Sequence, residues 1–169
     1  MDMSKKKNIK EMVEYTYRDI GQEYLMKKKV VRVVIIAIIT TIALAVFVAL
    51  YIDERQKVQA TYKKQYEIGL RAVIEDINSY QKAEGDLEFR YRRLVSDMNM
   101  ASSFLFLLDG KEDNKKNIQE LYTVLLRYPE QSVTKLDDMK VAIDDILQGL
   151  DKGYDEAQKI VDSIDKKGQ

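Results

Sequence analysis

Two acidic pairs, Asp137-Asp138 and Asp144-Asp145, lie seven residues apart. On a helix this spacing stacks four carboxylates on one side, and paired carboxylates can hold divalent cations or exchange protons with a substrate. Lys135 and Lys140 are interleaved with them at spacings that suit intrahelical ion pairs. The expectation is therefore a solvated, charge-balanced face. Arg90, Arg92 and Arg93 form the second cluster with chemical potential, because guanidinium groups grip phosphates and carboxylates. Asp86, Glu88 and Asp97 surround it, and the acidic segment that carries it makes a poor nucleic-acid binder, so no nucleic-acid partner is expected.

The chain contains no cysteine and no histidine. That excludes disulfides and the common zinc, haem, iron–sulfur and Cys/His-catalysis arrangements. No EF-hand spacing and no Asn-x-Ser/Thr sequon is present. The expectation is a non-enzyme with no catalytic site, no cofactor and no metal.

The elements that position these residues start from one long apolar run. Val33 to Ile52 reads VVIIAIITTIALAVFVALYI, without a charge. A helix of that length rises about 30 Å, the thickness of a bilayer's hydrocarbon core. A cleaved signal peptide has a shorter core of about 7–15 residues, so an uncleaved signal anchor is expected, with the transmembrane helix at 30–52. Residues 1–32 hold nine Lys/Arg against five Asp/Glu; residues 53–169 hold nineteen against twenty-three. Lys27, Lys28, Lys29 and Arg32 flank the span and read as membrane-surface residues. Basic flanks lie in the cytoplasm, so the expected localisation is a single-pass cell-membrane protein with a cytoplasmic tail, 1–29, and an extracytoplasmic domain, 53–169.

The tail carries Ile9, Met12, Val13, Tyr17, Ile20 and Tyr24 on one side of a helix. It could lie on anionic lipid, dock on a cytoplasmic protein, or remain frayed. Tyr15 and Tyr17 read as packing or interface residues rather than as phosphorylation sites. Within the span, Ala37, Thr41, Ala45 and Ala49 form a ladder four residues apart, and such ladders let membrane helices approach closely. The alternative is that Ala and Thr are simply common in spans.

Beyond the span, apolar residues fall at alternating spacings of three and four. Tyr66, Leu70, Val73, Ile77 and Tyr80 continue the membrane helix to about Ala83, where Gly85 stops it. Asp86 is the expected N-cap of a second helix, whose Leu87, Tyr91, Leu94, Met98, Ala101, Leu105 and Leu108 keep a coiled-coil-like heptad to the Asp109-Gly110 turn. A third helix carries Ile118, Leu121, Tyr122, Leu125 and Leu126 and stops at Tyr128-Pro129. The last stripe, Leu136 to Ile164, passes through Gly149 and Gly153 without a change of phase, so one long helix is expected there, with a bend at the glycines.

The fold class is therefore all-α: a single N-terminal transmembrane helix continuing into an antiparallel bundle of about four helices. A tandem-repeat solenoid is the lesser alternative, because the Tyr128-Pro129 junction has no second copy. The end of the second helix, 102–108, is apolar nearly all round. Either it is buried under the third helix, or Met100, Phe104 and Leu107 form a protein interface. The expected function is a membrane-anchored scaffold or protein-interaction subunit. Its partners would be membrane lipid and other proteins, a homo-oligomer through the span among them. The alternative is a sensory or signal-coupling subunit whose bundle binds a ligand.

Overall fold

The computed structural model describes residues 3–83 and 85–166, with side chains from residue 23 onward. Among these residues it is all helical, without a strand. The helices are α1 (Met3–Gln81), α2 (Leu87–Phe106), α3 (Glu112–Arg127), α4 (Pro129–Val133), α5 (Leu136–Gly149) and α6 (Tyr154–Asp162). The chain divides into two units, Met1–Glu54 and Arg55–Gln169, and α1 contributes to both.

In the first unit every side chain from Val33 to Ile52 is exposed, Phe47 to 71%. Among the described residues one helix, α1, is long and apolar enough to cross a membrane. Thr40 and Thr41 donate their hydroxyls to the carbonyls of Ile36 and Ala37, each at 2.9 Å. Both hydroxyls are thus satisfied within the helix.

The second unit packs four longer helices against the end of α1. Tyr66, Leu70, Val73 and Ile77 of α1 are all buried, as the stripe predicts. They meet Leu94, Met98, Ala101 and Leu105 of α2 and the apolar faces of α3, α5 and α6 in one core. Burial of such side chains contributes roughly 1.5–3 kcal/mol each, before the entropy of ordering them is subtracted. α3 lies against both α2 and α6, and α5 packs on α6. Gly69 brings α1 close to α2: a Cβ there would stand 3.0 Å from Ala101 Cβ and 3.1 Å from its Cα.

The boundaries follow local chemistry. Gly85 has φ +77, and Asp86 caps α2 by accepting the N–H groups of Glu88 at 2.9 Å and Phe89 at 3.3 Å. Tyr128, at φ −128 and ψ 58, leaves the helical conformation before Pro129, which sits in the first turn of α4, a single-turn helix absent from the sequence reading.

The last apolar stripe is two helices, not one. Leu150 takes the left-handed conformation at φ 55 and closes α5 by donating its N–H to Ile146 O. Gly153, at φ +82, starts α6. A Cβ on Gly153 would lie 2.4 Å from Ala142 O and 2.9 Å from Ile146 N. The glycine thus serves a reversal in which α6 turns back onto α5, and the unbroken phase of the stripe conceals it. With α4 and this break, the bundle has six helices rather than about four.

Gly153→Ala is expected to lower the unfolding free energy of the detergent-solubilised full-length protein by roughly 2–4 kcal/mol, through backbone strain and overlap with α5. Gly149→Ala, with open space around it, is expected to be neutral or to stabilise by up to about 1 kcal/mol. Chemical denaturation of both variants, followed by helical circular dichroism, checks the contrast.

Candidate functional site

The four residues of the small ladder, Ala37, Thr41, Ala45 and Ala49, are all exposed on α1, and Thr41 bonds back to Ala37. Lys27, Lys28, Lys29 and Arg32 are exposed as well, with Lys27 paired to Glu23 at 2.7 Å. The side chains of residues 1–22, including Ile9, Met12, Val13, Tyr17 and Ile20 of the tail stripe and Tyr15, lie outside those described, and Tyr24, the last of that stripe, is exposed. Of the three residues considered for a protein interface, Met100 and Phe104 are half-buried and Leu107 is 47% exposed. Phe104 packs on the core, its ring 6.4 Å from that of Tyr62. Phe106, expected to share the apolar helix end, is 72% exposed.

The acidic pairs do not converge on a cation. Asp137, Asp138 and Asp144 are exposed, and Asp137 accepts from Gln81 Nε2 at 2.8 Å. Lys140 reaches Asn78 Oδ1 on α1 at 2.7 Å. No group of three or more acidic side chains that could hold a metal ion occurs among the described residues. The arginine cluster is divided between carboxylates: Arg92 pairs with Glu88, while Arg93 turns toward Asp76 and Asp97.

Asp76 is the residue that the sequence conceals. It lies on α1 next to the buried stripe and is 1% exposed. Arg93 Nε approaches its Oδ1 at 3.1 Å, and its Oδ2 has no hydrogen-bond partner among the described residues. Burial pushes the Asp76 carboxyl up to about 6. The nearby Asp97 carboxyl contributes to this rise, and the charge of Arg93, with a smaller effect from Arg90, opposes it. No sequence signal marks this group, because its partners come from another helix.

Two concavities of the second unit bear on binding. One, of about 240 Å³, is lined by Lys63, Leu105, Leu108, Asp109, Lys111, Leu150 and Asp151, with Tyr66 and Tyr154 at its wall. The two tyrosine hydroxyls share a hydrogen bond at 3.2 Å, and burial pushes both pKa values up, so both stay protonated. Lys111 Nζ donates to Leu150 O at 2.6 Å and also pairs with Asp151, whose carboxyl it holds below the usual range. The other concavity is a groove of about 360 Å³ between α5 and α6. Val141, 60% exposed, Ala142 and Ile160 make its apolar floor, and Lys135, Asp138, Glu156 and Lys159 stand along it. No family model, curated protein or solved structure matches this chain.

The folded-state pKa of Asp76 stands above its unfolded value, so the protonated carboxyl favours the fold. That stability is present in full below about pH 4 and is lost as pH rises through about 6. Asp76→Asn is expected to remove this component. The stability of wild type relative to the variant should fall by roughly 1–3 kcal/mol between pH 4 and pH 7. Denaturant unfolding of both proteins across that range measures it, and parallel curves would exclude the assignment.

Proposed function

We propose that the protein is a single-pass membrane-anchored helical scaffold, a non-enzymatic subunit that holds a protein-binding domain at the membrane surface. The observation that carries this reading is the charge-free stretch of α1 from Val33 to Ile52, whose side chains stand exposed on every side. Exposed apolar surface of that extent is stable in lipid and not in water. Lys27–Lys29 and Arg32 favour a cytoplasmic tail, which leaves residues 53–169 outside. The small-residue ladder favours association of the span with itself or with another helix. In the domain, the Val141 groove is the surface best suited to a protein partner.

A second reading, a sensory subunit, draws on the concavity beside Tyr66 and Tyr154. Hydroxyls and the Lys63 ammonium could bind a small polar ligand there. Its volume lies below the usual 300–1,000 Å³ of ligand sites, so the scaffold reading is preferred.

The span and its orientation are tested together by adding protease to intact cells. The domain should be digested while the tail survives, and the uncut protein should resist alkaline extraction from membranes. Survival of the domain until lysis would reverse the orientation. For the groove, Val141→Glu is expected to leave the melting temperature nearly unchanged, since surface substitutions usually stay within about 0.5 kcal/mol. Photo-crosslinking from an adjacent position, Asp138, should then lose its wild-type adducts. Adducts retained in full would remove the groove from the binding surface.

A further inference from the structure

The α2–α3 and α5–α6 turns both line the concavity beside Tyr66 and Tyr154, and Lys111 fastens one turn to the other. Its Nζ donates to Leu150 O at 2.6 Å and pairs with Asp151. Three non-glycine residues among those described take a positive φ, and two of them, Lys111 at 59 and Leu150 at 55, stand in this lining. Conformations of that kind gather at ligand clamps, where the surrounding structure holds them in place. Leu105, Leu108 and Leu150 make the apolar part of the wall, and the Tyr66–Tyr154 hydroxyl pair adjoins it.

The lining has one positive charge to spare. Asp109 pairs with Arg55 at 3.0 Å, and Asp151 pairs with Lys111. Lys63 is exposed and in no ion pair among the described residues; its charge acts only on Asp151, which Lys111 already holds. The hydroxyls have a hydrogen to spare as well. Two hydroxyls carry two hydrogens, and one is used between them at 3.2 Å. Asn114 lowers the pKa of the Tyr154 hydroxyl, which is the action of a donor, and Asp151 acts on it by charge alone. Tyr66 is closed to solvent and Tyr154 is 4% exposed, so Tyr154 is the hydroxyl that a ligand would meet.

We propose that this concavity is a binding site for a small organic monoanion, its carboxylate held between the Lys63 ammonium and the Tyr154 hydroxyl and its apolar body against Leu105, Leu108 and Leu150. A single unpaired ammonium matches one negative charge and leaves a phosphate dianion half compensated. A space of about 240 Å³ equals roughly eight water molecules at about 30 Å³ each, enough for one ring or a short chain and too little for a nucleotide. The proposal gives a ligand class to the site of the sensory reading and rests on that reading for the site alone. The scaffold reading stands or falls without it.

The probe is 4-fluorobenzoate, with the uncharged 4-fluorobenzamide as its isostere, titrated into the full-length protein in nonionic detergent. Fluorine linewidths report binding, and empty micelles serve as the blank. Fluorobenzoate should bind saturably and at least tenfold more tightly than the amide, since a hydrogen bond to a charged group commonly carries that much. Lys63→Gln should remove the preference, and Lys64→Gln, exposed on the same helix but outside the lining, should leave it intact. Tyr154→Phe, which keeps the ring, should weaken fluorobenzoate several-fold. No saturable binding, equal affinity for acid and amide, or equal losses in Lys63→Gln and Lys64→Gln would each overturn the proposal. Displacement of fluorobenzoate by inorganic phosphate at equal concentration would overturn the ligand class. None of these outcomes touches the membrane span or the Val141 groove, so the scaffold reading is tested separately.

Discussion

From Val33 to Ile52 α1 is apolar on every side; from Tyr66 to Ile77 it is buried along one side only. The second pattern is the constraint on which the rest of the domain depends. A helix with a single apolar stripe has to cover that stripe, and each later helix answers the need. α2 brings Leu94, Met98, Ala101 and Leu105 to it, and approaches so closely at Gly69 that a Cβ there would press on Ala101 at 3.0 Å. α6 adds Tyr154, whose hydroxyl meets that of Tyr66 beneath the surface. Neither contact could form if the stripe turned by one residue, because helical faces rotate by about 100° per residue.

Polar groups then fix which helix ends meet. Tyr91 donates to Leu125 O at 2.7 Å and joins α2 to the end of α3. Asn117 donates to Tyr154 O at 3.1 Å and joins α3 to the start of α6. Ser132, fully buried in α4, donates to Val124 O, a carbonyl that also accepts the Tyr128 N–H at the end of α3. α4 is thus more than a linker, because it closes the C-terminal end of α3. Asp76 is the exception to this economy. One of its oxygens is buried without a hydrogen bond, and Arg93 compensates only the other. Such a group weakens the α1–α2 contact when charged, which makes the contact responsive to acid.

Much of the domain could be read before its structure was known, and the reasons are local. The α1 and α2 stripes follow from periodicity, the start of α2 from Asp86, and the end of α3 from Tyr128-Pro129. What escaped reading depends on residues far apart in sequence. Gly149 and Gly153 leave the phase of the last stripe intact, so nothing local separates a bent helix from two helices. The reversal exists because α6 can then pack on both α3 and α5. Asp76 looks like any acid beside a stripe until Arg93 arrives from α2. The Val141 groove likewise has no signature, since its walls come from α5 and α6. The expectation for 102–108 divided on burial: Leu105 went to the core, Phe104 to its edge, and Phe106 to the surface.

The central claim, which rests on the proposed span, is that α1 is removed from water on every side through Val33–Ile52 and packs against the domain on one side only beyond it. The absence of native cysteine makes single-cysteine scanning a direct measure of both halves. Single cysteines along α1, in the full-length protein in membranes, would be treated with a water-soluble maleimide. Positions 33–52 should stay unlabelled at every helical angle. Beyond the span, positions 64, 71 and 75 should label readily, and 66, 70, 73 and 77 only after denaturation. Labelling within 33–52 as fast as at 64 and 71, or equal labelling of all positions from 64 to 77, would contradict the account.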